Sequence, residues 1–357
     1  MSIFSRFFGR SDSPGETAAL TANPDIDNPL SLQVVFAAPL AVKADALAAA
    51  LRAYHPEMRQ ARAEIEPDMP QLLGMVGWGK HVVRLVGFDA PLPHDALEVC
   101  VAPAHYPAPV KEQVRAHVSH VLLYYAGFDE DPLEQYVAMA AVAGALGRFN
   151  AIAVLNEHAH TSLPAGVFTD DSLGDESLEV LRSLPLTMLY CGFVKYEVEG
   201  VQGVWMRTYG GDRFDLPDFA VLADGHHQGE EYSGMFNNIM AYMLDSGAEL
   251  AAGHTMQIGE TRYMKLREPQ EAEYYLQGPT RCWWRRSSTP RRSTSPKPTP
   301  STDAPPGRRS SGPSRPPAGA PPHPAFSPLN RFIWKYYFQG GAIFVPVKKH
   351  RNTACQK

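Results

Sequence analysis

Hydrophobic positions with regular spacing run from about Leu32 to Leu266, and their period changes along the chain. Short, β-rich apolar runs predict strands, whereas apolar residues three and four positions apart predict helices. In the first half, strands are predicted at Leu32–Pro39, Leu72–Trp78, Val82–Phe88, His120–Gly127 and Ala151–Glu157. Helices are predicted at Ala44–Ile65 with an end or kink at Pro56, at Asp95–Val101 or Pro109–His117, and at Asp131–Phe149 with Asp131 as N-cap.

The order of these elements indicates an α+β protein. Strand, helix, strand, strand, helix, strand is the ferredoxin-like β-α-β-β-α-β order, and a further helix and strand extend it. An open α/β sheet with parallel crossovers is the alternative. We expect this first unit to span residues 31–183. A polar leader over residues 1–30, punctuated by Pro, Gly, Asn and Asp, is expected to be disordered.

A second unit, with the order β-β-β-α-β, is expected over residues 184–278. Two strands flank a Glu199-Gly200 turn, a third strand covers Phe219–Ala223, and a fourth follows the helix in the run AGHTMQIG. The helix runs from about Glu230 to Asp245 and stops before Gly247. Its predicted core face consists of Phe236, Ile239, Met240 and Met243.

The character of the chain changes abruptly after Gly278. Residues 279–357 form a low-complexity tail that is rich in Pro, Arg and Ser over most of its length. This part of the tail cannot bury enough apolar area to offset an ordering cost of about 1–2 kcal/mol per residue. The tail is therefore predicted to be disordered, and it is either a genuine linker-like segment or an out-of-frame translation of a GC-rich gene.

Charge and cysteine content exclude several classes of protein. The net charge of −5 provides no basic face for nucleic acid, and no apolar run is long enough to cross a membrane. Four cysteines lie far apart without a C-x-x-C pair, which argues against a zinc or redox site built from cysteines. We therefore expect a cytoplasmic protein with no cofactor, no nucleic-acid partner and no membrane association.

Two histidines at the end of a predicted strand are the first candidates for chemistry. His158 and His160 follow Glu157 in the run NEHAHTS. Alternate residues of a strand point to the same side, so this His-x-His pair has the spacing of two metal ligands. The competing interpretation is a solvated polar loop, because no third ligand is fixed by the spacing.

A second group of candidates flanks the helix of the second unit. His226, His227 and Glu230 precede or begin this helix, and His254 and Thr255 follow it. They would form an acid–base or metal site only if the chain folds back and brings the two groups together. Otherwise Glu230 is a first-turn acid and His254-Thr255 belong to a turn. The sequence contains no G-x-x-x-x-G-K-S/T, G-x-G-x-x-G or G-x-S-x-G motif.

Several runs resemble one bacterial family. The runs MLYCGFVKYE, WMRTYGGDRF, AYMLDSGAEL and AGHTMQIGE all begin within the stretch from about Leu184 to Ile258, and this stretch resembles domain-of-unknown-function family 4261. The region upstream, through AVLNE, resembles the part that usually precedes it. The resemblance implies a fold and a bacterial origin. It implies no activity and assigns no catalytic residue.

These observations favour a non-enzymatic binding or regulatory protein with an unidentified protein partner, for example an immunity-type protein. The alternative is a metal-dependent or acid–base hydrolase that uses the His/Glu cluster of the second unit. Metal content after purification distinguishes the two hypotheses.

Overall fold

The computed structural model describes residues 19–67, 69, 71–169, 171–258, 263–276 and 285–286. Helices and antiparallel sheets occur together, which confirms the α+β class. The strands of the first half are β1 (Ser31–Phe36), β2 (Arg62–Ile65), β3 (Leu72–Trp78), β4 (His81–Phe88), β5 (Ser119–Tyr125), β6 (Ala151–Asn156) and β7 (Thr161–Pro164). The helices of that half are α1 (Ala44–Tyr54), α2 (His94–Val101), α3 (Ala108–Arg115), α4 (Pro132–Leu146), α5 (Gly166–Thr169) and α6 (Ser177–Arg182).

Strands β1–β7 form one sheet in the order β2-β3-β4-β5-β1-β6-β7, and every neighbouring pair is antiparallel. The predicted succession of strands and helices is present along the chain, but the sheet departs from the ferredoxin-like arrangement in space. That arrangement would place β1 between β5 and β4. Here the connection through α2 and α3 returns β5 directly beside β4, so that β1 lies between β5 and β6.

Helix α1 is shorter than the sequence predicts. It ends at Tyr54, a single 3-10 turn follows at Pro56–Met58, and Arg62–Ile65 form β2 instead of the end of a helix. Proline cannot donate a backbone hydrogen bond, so Pro56 ends the helix. The residues beyond it pair with Gly74–Gly77 of β3, and this tertiary pairing overrides their helix propensity.

Helix α4 begins as predicted. The side chain of Asp131 accepts a hydrogen bond of 2.9 Å from the backbone N–H of Leu133, and Pro132 occupies the first helical position. The helix is buried over most of its length and contacts β1, β4, β5 and β6, as well as α1. It therefore lies across the middle of the sheet, and its two ends fix the positions of the loops discussed below.

Residues 19–30, which were expected to belong to a disordered leader, lie against the sheet. The N–H of Asn23 donates to the carbonyl of Ala126 at 2.8 Å, and the N–H of Leu20 donates to the carboxylate of Glu64 at 2.9 Å. Ala22 and Leu30 are buried. These backbone hydrogen bonds order a segment whose polar, turn-rich composition indicated the opposite.

The second half contains β8 (Gly192–Tyr196), β9 (Val204–Tyr209), β10 (Ala220–Ala223), α7 (Gly229–Ser246), β11 (Thr255–Gln257), β12 (Tyr263–Lys265) and β13 (Arg285–Arg286). Strands β8–β10 form a three-stranded antiparallel sheet, and β11–β13 form another. The predicted apolar face of α7 is buried, and Gly247 ends the helix with a left-handed φ of 63°.

One continuous hydrophobic core extends from Leu30 to Leu266 and includes residues of both halves. Among the described residues, no helix has both the length and the apolar character needed to cross a membrane. Apart from β13, the predicted tail at 279–357 lies outside the described residues. The two explanations for its composition, a genuine linker-like segment and an out-of-frame translation, therefore stay predictions. The division into units at 31–183 and 184–278 stays a prediction.

Candidate functional site

A cleft of about 490 Å³ opens where the C-terminal ends of α1 and α4 meet α5 and the start of α6. We call it the arginine cleft. Its polar lining residues are Arg52, Tyr54, His55, Arg59, Arg148, Thr169, Asp175 and Ser177. Pockets for small ligands usually have volumes of about 300–1,000 Å³, so a ligand group of moderate size fits here.

The charge of the arginine cleft is positive. Arg52, Arg59 and Arg148 are exposed, and within the described part of the chain none of them has a carboxylate at ion-pair distance. Arg52 donates from Nε to the carbonyl of Ala61 at 2.8 Å, which holds its guanidinium in place. Each helix C-terminus contributes about half a negative charge, and Asp175 contributes one more. Three guanidinium groups therefore outweigh the negative charge around them.

Two glycines of α4 and its C-terminal turn allow the walls of the cleft to approach closely. A Cβ atom on Gly144 would lie 2.5 Å from Cε2 of Tyr54, and one on Gly147 would lie 1.9 Å from Cγ2 of Thr169. Such distances are far below normal van der Waals contact. Side chains at these positions would push α1 and α5 away from α4, so the shape of the cleft depends on both glycines.

The histidine and the serine that line the cleft are already engaged in hydrogen bonds to backbone groups. His55 is buried, its Nδ1 accepts from the N–H of Glu57 at 3.2 Å, and its Nε2 donates to the carbonyl of Asp175 at 2.8 Å. Ser177 Oγ donates to the carbonyl of Tyr54 at 2.9 Å. Burial raises the pKa of Tyr54, so its phenol stays protonated. Its buried hydroxyl has no hydrogen-bond partner among the described residues.

His226, His227 and Glu230 lie at the N-terminal end of α7, as predicted. His226 Nε2 lies 3.2 Å from Oε1 of Glu197, whereas the side chains of His227 and Glu230 are exposed. His254 and Thr255 are also exposed, and His254 Nδ1 accepts from the N–H of Ala251 at 3.2 Å.

The two groups flank opposite ends of α7. A helix of 18 residues is about 27 Å long at 1.5 Å per residue. Their assembly into one acid–base site stays a prediction that no contact in the described structure supports.

His158 and His160 have separate partners. Nε2 of His158 lies 2.7 Å from Oδ1 of Asp212, whereas the ring of His160 stacks on Tyr209 with a centroid distance of 4.1 Å. His160 has a left-handed φ of 52°, so the two residues do not follow the alternation of a strand. Burial, followed by the charges of Arg207 and His158, lowers the pKa of His160 to about 4.

A different set of residues brings three potential metal-ligand atoms close together. One ligand atom from each of His81, Asp129 and Glu134 lies within 4.8 Å of the other two. Neither this set nor the arginine cleft was anticipated from the sequence. The only local signal was the Asp131-Pro132 helix start, which places the acids of the preceding loop near the end of a buried strand.

Residues 207–284 match the family model described as domain of unknown function (DUF4261). The match lies in the C-terminal half of the folded region, as the sequence resemblance predicted, and it continues past Ile258 to residue 284. It covers less than half of the chain and does not extend to the upstream region. No curated protein matches the chain significantly. No solved structure matches it significantly either.

Proposed function

We propose that this protein is a non-enzymatic binding protein of the regulatory type, acting in the bacterial cytoplasm, and that the arginine cleft receives an anionic group of its ligand. The observation that supports this proposal is the set of three guanidinium groups, Arg52, Arg59 and Arg148, around one cleft. Guanidinium forms paired, charge-assisted hydrogen bonds with phosphate and carboxylate groups.

Binding is favoured over catalysis because the histidine and the serine of the cleft are already engaged, and the carboxylate that lines it, Asp175, is exposed to solvent. Both ring nitrogens of His55 form hydrogen bonds with backbone groups, and the hydroxyl of Ser177 forms one with the backbone carbonyl of Tyr54. General acid–base catalysis requires a titratable group within hydrogen-bond reach of the reacting proton. The hydrolase alternative would require His226 and His254 to meet across the length of α7, and no observed contact favours that.

The anionic group of the ligand is a phosphate or a carboxylate, and each of the two would come from a different source. An acidic segment of a protein partner, including the partner of an immunity-type protein, would present a carboxylate, whereas a small phosphorylated molecule would present a phosphate. Calorimetric titrations of the full chain with a hexaglutamate peptide and with inorganic pyrophosphate distinguish these sources. We expect one of the two probes to bind.

Replacing Arg52 and Arg148 with Ala tests the location of the site. Each charged hydrogen bond is worth about 1.5–3 kcal/mol, so each substitution should weaken binding by roughly tenfold or more. Arg84→Ala is the matched control, because Arg84 is exposed and lies outside the arginine cleft. If neither probe binds, or if the double variant binds as well as the wild type, the anionic site is refuted. Release of phosphate from pyrophosphate would refute the non-enzymatic assignment.

A pull-down from cytoplasmic extract with the wild type and the Arg52→Ala, Arg148→Ala variant tests the source of the ligand. A protein that only the wild type retains would identify a protein partner. Equal recovery of background proteins by both, together with pyrophosphate binding, would assign the cleft to a small molecule and overturn the protein-partner part of the proposal.

A further inference from the structure

A compact group of nitrogen and oxygen ligands lies at the end of the sheet between β4 and α4. His81 is the first residue of β4, Asp129 lies in the loop after β5, and Glu134 is in the first turn of α4. Nε2 of His81 lies 4.0 Å from Oδ2 of Asp129, and the side chains are 14% and 5% exposed. The group is therefore largely protected from solvent.

Each of the three side chains is held by a further hydrogen bond. Nδ1 of His81 lies 3.3 Å from the hydroxyl of Tyr125, and the N–H of Asp131 donates to Oδ1 of Asp129 at 3.1 Å. Outer partners of this kind orient the ligands of protein metal centres and set the tautomer of a metal-bound imidazole. With a cation on Nε2, the proton of His81 would reside on Nδ1 and point to Tyr125.

Glu134 is held by Arg182, which donates from Nε at 2.7 Å and from Nη2 at 3.0 Å. These two bonds use one lone pair on each carboxylate oxygen, and each oxygen retains a second lone pair. Arg182 thus fixes the carboxylate without exhausting its capacity to bind a cation.

Lys80 currently neutralises part of the charge of the group. Its ammonium lies 2.8 Å from Oδ2 of Asp129, although its side chain is 61% exposed. Burial opposes ionisation of Asp129, yet Lys80 and the N–H of Asp131 hold its pKa below the ordinary value. Burial also lowers the pKa of His81 against the pull of Asp129 and Glu134, which favours the neutral imidazole. Ionised carboxylates and neutral imidazole are the forms that bind metals.

We propose that His81, Asp129 and Glu134 form a binding site for one divalent transition-metal cation, with Zn²⁺ as the best-fitting ion. Ligand atoms on a tetrahedral zinc ion are roughly 3.4 Å apart, so the His81–Asp129 pair, at 4.0 Å, needs only a small side-chain adjustment to bind one. One nitrogen and two oxygen ligands suit zinc better than magnesium, and three protein ligands leave a fourth position for water. This site is independent of the arginine cleft.

The test is calorimetric titration of the full chain with ZnCl₂ and with MgCl₂ after dialysis against EDTA. We expect one tight Zn²⁺ site per chain and binding of Mg²⁺ that is at least about tenfold weaker. His81→Ala and Asp129→Asn should each weaken this site by about 100-fold, and Tyr125→Phe should weaken it by about tenfold. His254→Ala is the control for surface histidines, and it should leave the tight site unchanged.

The Lys80→Ala variant distinguishes a metal site from a cluster with a purely structural role. It removes the competing ammonium from an exposed position, so the affinity for Zn²⁺ should rise by about threefold or more. Far-UV circular dichroism of each metal-free variant verifies that it is folded. The proposal is overturned if no tight site exists, if folded His81→Ala and Asp129→Asn variants bind Zn²⁺ like the wild type, or if Lys80→Ala lowers the affinity.

Discussion

The guanidinium of Arg207 lies 3.9 Å from the carboxylate of Asp218, and both side chains are only 2% exposed. The same carboxylate accepts hydrogen bonds from the N–H of Gly211 at 3.1 Å and from Oγ1 of Thr208 at 3.3 Å. Arg207 also lies over the ring of Tyr209, 4.3 Å from its centroid. This buried pair therefore connects the end of β9 to the turn that leads into β10.

Asp218→Ala should lower the free energy of unfolding by about 3–5 kcal/mol, because it leaves the charge of Arg207 buried without its carboxylate partner. Urea denaturation followed by circular dichroism measures the change. Asp245→Ala, at an exposed position of α7, is the control and should change stability by less than about 0.5 kcal/mol. A loss below about 1 kcal/mol for Asp218→Ala would mean that the pair contributes little.

Gly192→Ala should separate the turn between β6 and β7 from strand β8. A Cβ atom at Gly192 would lie 1.7 Å from the carbonyl oxygen of Ala159, and backbone cannot yield as a flexible side chain can. We expect a destabilisation of about 1–3 kcal/mol or more. Gly234→Ala is the matched control, because the added methyl group meets nothing within 4 Å in α7 and should stabilise the helix by about 0.5–1 kcal/mol. Equal melting temperatures for the two variants would contradict the close contact.

His160→Asn should reduce the acid sensitivity of the protein. The folded state holds the pKa of His160 at about 4, below its ordinary value of 6.5, so the unfolded chain binds the proton more readily between these values. Stability is therefore lost as the pH falls through this window. Asparagine tolerates the left-handed φ and does not titrate there.

Urea denaturation of the wild type and of His160→Asn at pH 7 and pH 4.5 measures this effect. The wild type should lose about 2–3 kcal/mol more than the variant between these two pH values. Parallel losses in both proteins would show that His160 does not contribute to acid unfolding.

Phe236→Ala should cost about 3–5 kcal/mol, because Phe236 is fully buried and its ring lies between those of Phe193 and Phe219, at centroid distances of 6.1 and 5.8 Å. Tyr242→Ala on the same helix is the control. Its side chain is 53% exposed, so thermal unfolding should change little. Similar losses in both variants would show that the predicted apolar face of α7 does not dominate its packing.

Local signals in the sequence were sufficient for the elements that begin and end with characteristic residues. Asp131 and Pro132 mark the start of α4, Gly247 marks the end of α7, and the spacing of apolar residues identifies the buried face of α7. These signals act over a few residues, so the sequence contains them directly. Strand β2 lacks such a signal. Its conformation is determined instead by its pairing with β3.

Neither candidate site could be found in this way. Arg52 belongs to α1 and Arg148 to the turn after α4, and a strand and two helices, β5, α2 and α3, lie between the elements of His81 and Glu134 along the chain. Only the tertiary arrangement brings them together, and no fixed spacing records it. The histidines that the sequence emphasised, His158 and His226, instead pair with Asp212 and Glu197.

The segment that matches the family begins within β9, at residue 207, and the core beneath it continues into the first half of the chain. Excised at that point, it would lose β8 and with it the contact between the rings of Phe193 and Phe236. The matched stretch is therefore not a portable module. Any graft into another protein would have to include β8 and the β6–β7 turn that supports it.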